Sequence, residues 1–333
     1  MKMIHKLAMW LMCSIGFCLT GYSQQKATRV TTLMGSRWSI TIVAADSITA
    51  EKYIDTVIAE ATRIEYLLSD WKAETQVSQV NRNAGIAPVK VDKELLDITR
   101  RALYFSNLTH GAFDISFAAM EKIWRFDGSM TELPTPEAVK KTVEKVGYQN
   151  IIIDTVHSTL FLQKVGMKIG FGALGEGYAA DKCRAMMQQK GIVAGIVDGS
   201  GDIGTWGHRP NGKPWTIGIT DPFDPLNVFA VVPLKKGSVT TSGSYEKYAE
   251  INGVRYSHII NPATGYPATG LISVTVFGPS TETCNALSTS LMVLGKREGL
   301  QLLKKFIGYS CIMVDDKGNY ISSPGFKLKK YKL

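Results

Sequence analysis

Hydrophobic and polar positions follow two different periods along this chain of 333 residues. Between Ser47 and Leu68 apolar residues recur every three or four positions, which predicts an amphipathic helix. Start signals such as Asp92 and Thr135-Pro136, and stop signals such as Gly147 and Gly191, indicate more helices. The further predicted helices cover residues 92–108, 135–147, 175–190, 283–294 and 297–306.

Shorter apolar runs between these helices predict strands. The predicted strands lie within 29–45 (with a break at 34–36), 151–154, 159–163, 192–197, 214–219, 228–233, 238–241, 256–260 and 271–277, before a closing hairpin around 316–319. Residues 69–91 are polar and predict a loop. Because helices are mixed with largely antiparallel strands, we predict an α+β fold.

The first 23 residues have the pattern of an export signal. Lys2 and Lys6 precede an apolar run that ends at Thr20, and Gly21-Tyr22-Ser23 offers a small-x-small cleavage site. The apolar run is short for a membrane span, so a transmembrane anchor is only a minority alternative. A lipoprotein signal needs a small residue before the modified cysteine, and Phe17 before Cys18 fits this poorly, so a lipid anchor is also a minority alternative. We therefore predict an exported protein with a signal peptide over 1–23 and one domain over 24–333.

The net charge and the spacing of the cysteines favour some classes of protein and exclude others. Loss of the two signal lysines lowers the formal charge from +9 to about +7, a surplus that favours an anionic partner. No nucleic-acid-binding motif occurs, so nucleic acid is not predicted. The mature cysteines, Cys183, Cys284 and Cys311, are too widely spaced for a disulfide framework or a zinc site.

Three glycine-rich segments are candidate ligand loops. Residues 170–178 open a helix, where glycines and free N–H groups suit a pyrophosphate, although tight packing of the helix start against a sheet is the more common reason for such a run. Residues 198–202 follow an apolar strand, and residues 240–245 add hydroxyl groups; both are also compatible with ordinary turns. Neither a dinucleotide fingerprint nor a P-loop is present.

Two polar clusters carry more specific chemistry. His258 lies at a strand end before a Pro-Gly turn, where it is positioned for proton transfer, although a lone histidine is often structural. Asn285, Ser288 and Thr289 share one face of a predicted helix. Their oxygens suit Mg²⁺ rather than zinc, with helix capping as the alternative.

Taken in order, these motifs resemble those of the ApbE family, the FAD:protein FMN transferases. The resemblance begins near Thr31 and runs to the C-terminus. Its marks are Met34-Gly35-Ser36, Leu68-Ser69-Asp70-Trp71, Gly111-Ala112-Phe113-Asp114, Gly175-Glu176-Gly177-Tyr178-Ala179-Ala180-Asp181, Gly199-Ser200-Gly201-Asp202, Thr241-Ser242-Gly243, the segment Ser257-His258-Ile259-Ile260-Asn261-Pro262-Ala263-Thr264-Gly265, and Asn285-Ala286-Leu287-Ser288-Thr289.

The resemblance implies an ApbE-like, T-fold-like duplicated fold and Mg²⁺-dependent transfer of FMN from FAD to a Thr or Ser of an acceptor protein, with release of AMP. It implies a periplasmic location and an acceptor in a membrane-bound redox complex. The implied FAD site comprises Met34, Trp71, Ala112, Phe113, Asp114, Glu176 and Ile260. The implied metal site comprises the backbone of Ala173 with Asn285, Ser288 and Thr289, and His258 is the implied base.

Two positions depart from the family pattern. Many members have Asp where this chain has Asn285, which predicts weaker Mg²⁺ binding, and Asp is also common where Gly170 stands. Two other functions therefore remain open. The first is a Mg²⁺-dependent FAD pyrophosphatase that gives FMN and AMP, and the second is a periplasmic FAD-binding protein without turnover.

Overall fold

The computed structural model describes residues 24–234, 236–245, 248–324 and 326. The predicted signal over 1–23 lies outside the described residues. No helix within the described ranges combines the length and the apolar character that a membrane crossing requires.

The described chain alternates short strands with six α-helices. In chain order the strands are β1 (Gln25–Leu33), β2 (Ser36–Ala44), β3 (Val89–Lys90), β4 (Ile151–Asp154), β5 (Thr159–Leu162), β6 (Ala194–Gly199), β7 (Asp202–Trp206), β8 (Trp215–Asp221), β9 (Asp224–Leu234), β10 (Gly237–Gly243), β11 (Tyr248–Ile251), β12 (Val254–Ser257), β13 (Leu271–Gly278), β14 (Ser310–Asp315) and β15 (Tyr320–Ser322). The helices are α1 (Ser47–Leu68), α2 (Gln76–Arg82), α3 (Lys93–Leu108), α4 (Pro136–Thr142), α5 (Gly175–Gln189) and α6 (Thr281–Leu303).

An eight-stranded sheet in the order β1-β2-β6-β7-β10-β13-β14-β15 organises the molecule. Every neighbouring pair in it is antiparallel. Helices α1, α5 and α6 contact the strands of this sheet and one another, and the main core lies between them. The predicted α+β class is therefore correct, and its sheets are antiparallel as expected.

Smaller units cover the rest of the sheet. The β8–β9 hairpin buries Ile217 and Ile219 against Val239 and Phe277 of the large sheet. The β11–β12 hairpin forms a separate small cluster around Trp124. Strand β8, the turn after β12 and strands of the large sheet all contribute residues to one cavity.

Most predicted elements agree with the structure, and the differences have local causes. The predicted loop over 69–91 contains α2, which begins after the cap Thr75 and buries Val77 and Val80. The helix predicted to end at Gly147 ends at Thr142. The two C-terminal helices adjoin as α6, with Gly295 at φ +74° between them. Strands β3, β7 and β11 were not predicted, because β3 has only two residues within the predicted loop and the other two are short and follow a glycine-rich or polar turn.

Candidate functional site

A cavity of about 930 Å³ opens where these units meet, and we call it the main cavity. Its volume is near the upper end of the roughly 300–1,000 Å³ that is usual for small-molecule sites. Its walls are formed by some of the residues in the segments 70–71, 112–118, 170–176, 198–203, 217–220, 239–245 and 258–262, and by Arg37, Asn285 and Thr289. The cavity can therefore hold a ligand as large as a dinucleotide.

The turn between β6 and β7 brings two aspartates into the cavity wall. Ser200 at φ +53° and Gly201 at φ +96° reverse the chain, and Asp198 Oδ1 accepts a hydrogen bond of 2.9 Å from the Gly201 N–H. Burial raises the pKa of Asp198, although this hydrogen bond and Arg37 oppose the shift. Asp202 is only 4% exposed, and burial, followed by the charge of Glu176, raises its pKa well above the ordinary value.

Helix α6 presents Asn285 to the same wall. The Asn285 amide nitrogen donates a hydrogen bond to Asp202 Oδ2. Asn285 is 8% exposed, and its Oδ1 has no hydrogen-bond partner among the described residues. A buried oxygen of this kind costs free energy unless a ligand satisfies it. Thr289, one turn further along α6, also lines the cavity.

Ser288 differs from its two neighbours on α6. It is fully buried and does not line the main cavity. Its hydroxyl donates to the Asn285 carbonyl oxygen at 3.0 Å and hydrogen-bonds Ser242 Oγ at 2.8 Å. The shared helical face predicted for these residues thus divides, and the Ser288 hydroxyl holds β10 against α6 instead of facing the cavity.

The start of α5 places Glu176 in the cavity wall and Met34 behind it. Ser36 donates a hydrogen bond to Glu176 Oε1. The backbone N–H of Met34 donates to Glu65 Oε2 at 2.8 Å, and Met34 packs against the main core. A Cβ at Gly177 would approach the Thr281 carbonyl oxygen to 2.7 Å. Close packing of α5 against α6 therefore explains this glycine, and Met34 supports the wall without lining it.

The aromatic side chains at the cavity are not equivalent. Trp71 is 61% exposed and lines the cavity, so its ring is available for stacking. Phe113 is 2% exposed, and its ring centroid lies 5.9 Å from that of Phe105 in the core. Because the Phe113 ring packs into the core, Trp71 offers the more accessible ring for stacking at this wall.

Asp114 has a structural task besides lining the cavity beside Ala112. Its Oδ1 accepts from the Ser116 N–H at 2.7 Å, and its Oδ2 accepts from the Tyr148 N–H at 2.9 Å. Burial raises the pKa of Asp114, and these hydrogen bonds oppose the shift. Asp114 therefore holds two loop segments together at the cavity wall.

His258 and Ile260 enter the cavity from the turn that follows β12. The His258 ring lies edge-on to Phe126, with 6.3 Å between the centroids. The Trp124 indole N–H donates to the Gly265 carbonyl oxygen at 2.9 Å and ties the end of this turn to the small cluster. The sequence Asn-Pro-Ala-Thr-Gly thus forms a braced turn that presents His258.

Ten of the twelve residues predicted for the site line the main cavity. They are Trp71, Ala112, Phe113, Asp114, Ala173, Glu176, His258, Ile260, Asn285 and Thr289. Met34 and Ser288 do not. The structure brings these residues together from segments more than 200 positions apart in sequence.

Sequence reasoning assigned no site role to Arg37, Asp70, Asp198 or Asp202. The two aspartates lie in the glycine-rich motif at 198–202, but only the fold shows that Asp202 contacts Asn285. A Cβ at Gly170 would lie 3.0 Å from Asp70 Oδ2, so glycine at this position leaves room for the Asp70 carboxylate. Among the described lining residues, Arg37 carries the only guanidinium or ammonium group, against five carboxylates.

The donor set of the cavity suits a hard cation. The described residues contain no cluster of three or more His, Cys, Asp or Glu side chains with metal-binding geometry. The wall instead offers the partnerless Asn285 Oδ1, the Thr289 hydroxyl and the Ala173 backbone near buried carboxylates. Oxygens of this kind favour Mg²⁺ over zinc, so these residues fit the implied metal.

The fold and the cavity define an α+β protein with a large, acidic ligand-binding cleft. The chain belongs to the ApbE family, whose model matches residues 34–313.

Relatives support this membership over most of the chain. An FAD:protein FMN transferase from Klebsiella pneumoniae is 33% identical and covers 88% of this chain and 84% of its own length. An ApbE protein structure from Thermotoga maritima matches with a TM-score of 0.80 and 30% identity, over 90% of this chain and 97% of that one. The apo flavinyl transferase ApbE from Pseudomonas stutzeri matches with a TM-score of 0.78 and 27% identity, over 90% and 94%.

Proposed function

We propose that this protein is an FAD:protein FMN transferase that moves FMN from FAD to a Thr or Ser hydroxyl of an acceptor protein and releases AMP. The observation that carries the proposal is that one cavity of dinucleotide size gathers an exposed indole, oxygen donors for a cation and a histidine. The family membership and the names of its relatives support the same activity.

An aromatic ring and a positive charge in the cavity wall can bind different parts of FAD. The exposed Trp71 ring offers a stacking surface for a ring system of FAD. Arg37 offers charge-assisted hydrogen bonds to a phosphate oxygen. Because five carboxylates share the lining with this single arginine, a pyrophosphate there needs additional positive charge.

We propose that Mg²⁺ supplies this charge, held by Asn285 Oδ1, the Thr289 hydroxyl and the Ala173 backbone carbonyl. A bound Mg²⁺ would neutralise the phosphate oxygens and stabilise AMP as a leaving group. Asn285 and Thr289 lie one turn apart on α6. The Asn285 amide nitrogen donates a hydrogen bond to Asp202, which fixes the orientation of the amide group. A neutral amide in place of a carboxylate predicts modest metal affinity.

His258 acts as the general base in this proposal. It takes the proton of the acceptor hydroxyl while the hydroxyl oxygen bonds to the FMN phosphorus and the bond between that phosphorus and AMP breaks. The braced turn that follows β12 holds the imidazole at the cavity. A preorganised base of this kind contributes about 10²–10⁴-fold to the rate.

The deciding experiment follows both the flavin and the acceptor. The full chain is incubated with FAD, Mg²⁺ and an acceptor flavoprotein subunit, and the acceptor mass is then measured. A mass gain of one FMN is the expected result. Free FMN and AMP without that gain would identify a pyrophosphatase, and tightly bound intact FAD would identify a binding protein.

We further propose that the protein acts in the periplasm on a subunit of a membrane-bound redox complex. The basic and apolar pattern over residues 1–23, with its small-x-small end at Ser23, supports export. N-terminal sequencing of protein recovered from the periplasmic fraction is expected to begin at Gln24. An uncleaved chain in the cytoplasmic fraction would contradict this location.

A further inference from the structure

The candidate cation site has a charge problem that its nearest donors do not solve. Asn285 Oδ1, the Thr289 hydroxyl and the Ala173 carbonyl are all neutral oxygens. Protein sites for Mg²⁺ generally include at least one carboxylate, because the dication must be neutralised. A negative charge close to Asn285 therefore strengthens cation binding when no phosphate group of FAD is present.

Asp202 provides a carboxyl group in direct contact with Asn285. The first residue of β7, it accepts a hydrogen bond on Oδ2 from the Asn285 amide nitrogen. The two residues are 83 positions apart in sequence, and the packing of α6 on β7 and β10 brings them together. Asp202 also lines the main cavity, although it is only 4% exposed.

The contact also decides which end of the Asn285 amide is available. Because the nitrogen is bound to Asp202, the oxygen is the end left for a ligand, and this oxygen has no partner among the described residues. The reverse orientation would set the amide oxygen against the Asp202 carboxylate, which repels it. The amide thus has one favoured orientation beside Asp202, and a bound cation would favour the ionised form of this buried carboxyl group.

We propose that Asp202 is a positioning residue of the cation site, which holds the Asn285 amide oxygen toward the cation and supplies the negative charge that Asn285 lacks. This inference rests on the proposed function for the presence of a cation in the cavity. In this arrangement the neutralising charge comes from strand β7, whereas the ligands Asn285 and Thr289 come from helix α6.

A purely structural role makes a different forecast. If Asp202 only held α6 in place, its loss would affect cation binding no more than the loss of another carboxylate that holds α6 in place. Asp181 is the matched case, because it accepts hydrogen bonds from Ser280 Oγ at 2.7 Å and from the Glu282 N–H at 3.1 Å at the start of α6. Asp181 does not line the main cavity.

The test is a titration of the full chain with Mn²⁺, without FAD, followed by electron paramagnetic resonance and by calorimetry. Asp202→Asn keeps the shape of the pair and removes its charge, so we expect Mn²⁺ affinity to fall about 10–100-fold. Asp181→Asn is expected to lower the melting temperature and to leave Mn²⁺ affinity unchanged. Moving the charge, in the double variant Asp202→Asn with Asn285→Asp, is expected to restore binding.

The other outcomes separate failure of this inference from failure of the proposed function. Parent-like Mn²⁺ affinity in Asp202→Asn, or equal losses in Asp202→Asn and Asp181→Asn, rejects the role of Asp202 and leaves the transferase proposal intact. Absence of Mn²⁺ binding by the parent chain rejects both this inference and the proposed metal dependence. Failure of FMN transfer with the expected affinities rejects only the proposed function.

Discussion

The main cavity and a second charged depression show how differently this molecule treats its acidic groups. The second depression, of about 520 Å³, lies between α3, α5 and the start of α6, and we call it the α3–α5 groove. Acidic side chains line both, but in the groove they are matched by basic ones. Lys93, Arg101 and Lys182 line the groove beside Glu94, Asp97, Asp181 and Glu282.

Pairing in the groove is direct. Arg101 Nε donates to Glu282 Oε1 at 2.6 Å, and Arg63 binds Glu94 through two hydrogen bonds of 2.8 and 3.0 Å. Tyr178 donates its hydroxyl to Glu94 at 2.5 Å. Burial tends to raise the pKa of Glu94, but the hydrogen bonds from Arg63 and Tyr178 outweigh it and the pKa falls.

Among the described residues that line the main cavity, five carboxylates share a single arginine, Arg37. The pKa of Asp202 rises well above its ordinary value, first through burial and then through the charge of Glu176. Carboxylates paired with basic side chains are typical of structural ion pairs, whereas buried carboxylates with few basic neighbours and perturbed pKa values are typical of ligand-binding sites. The groove therefore contains an ion-pair network, although burial raises the pKa of Glu282 despite its bond to Arg101, and the main cavity is the candidate ligand site. Each of the following predictions contrasts these two regions or tests one of them.

The largest effect is expected at His258. His258→Ala should reduce FMN transfer to the acceptor by about 10²–10⁴-fold, because the acceptor hydroxyl loses its base. FAD affinity, measured by flavin fluorescence, should stay near the parent value. His157→Ala is the matched control, since His157 is exposed and pairs with Asp154 far from the cavity lining. Retained transfer in His258→Ala would rule out this role.

The two arginines separate the two regions directly. Arg101→Met leaves Glu282 buried without its 2.6 Å partner, so the free energy of unfolding should fall by about 1–3 kcal/mol without a change in FAD affinity. Arg37→Met should raise the dissociation constant for FAD about tenfold, because a phosphate contact is lost, and leave unfolding unchanged. Guanidinium unfolding and fluorescence titration measure the two quantities.

Arg100→Met serves as the control for both arginine variants, because its partner Asp97 is half exposed and the pair contributes little. If Arg37→Met destabilises the protein as much as Arg101→Met does, the main cavity also depends on ion pairing. The distinction between the two regions would then fail.

Sequence periodicity predicted the main architecture because burial leaves a clear pattern in long elements. The bounds of α1 coincide with the prediction, since Ala50, Ile54, Val57 and Ala61 form one buried stripe. The missed helix α2 spans only Gln76–Arg82, too few turns for periodicity to stand out in a polar segment.

The candidate site was predictable residue by residue but not as a set of partners. His258, Asn285 and Thr289 were found because their residue types carry chemistry and match a family pattern. The contact between Asn285 and Asp202 depends on the packing of α6 against the sheet, which no local pattern encodes. The net charge favours an anionic partner but does not locate the site, because the lining of the main cavity is mostly acidic.

A smaller effect is expected from restoring a carboxylate at position 285. Asn285→Asp should lower the Mg²⁺ concentration for half-maximal transfer by about tenfold, because an ionised ligand binds the dication more tightly. The same change sets two carboxylates in contact, so the metal-free protein should melt at a lower temperature. An unchanged Mg²⁺ activation constant would contradict the proposed ligand role of Asn285.

The smallest effect compares the pH dependence of stability in the two regions. The native pKa of Asp202 is raised above its ordinary 3.8, so its ionisation costs stability as the pH rises through the native pKa. Asp202→Asn should therefore raise the melting temperature of metal-free protein by a few degrees near neutral pH. This gain should shrink as the pH falls toward the ordinary pKa.

Glu94 should behave in the opposite way, because its native pKa is lowered below 4.5. Its contribution is present above the unfolded pKa and is lost as the pH falls through the native one. Glu94→Gln should lower stability near neutral pH by less than about 1 kcal/mol, since the ion pair is partly exposed, and the difference should vanish in acid. If Asp202→Asn and Glu94→Gln shift the melting temperature in the same direction, the two carboxyl groups have similar electrostatic surroundings and the contrast between the two regions is wrong.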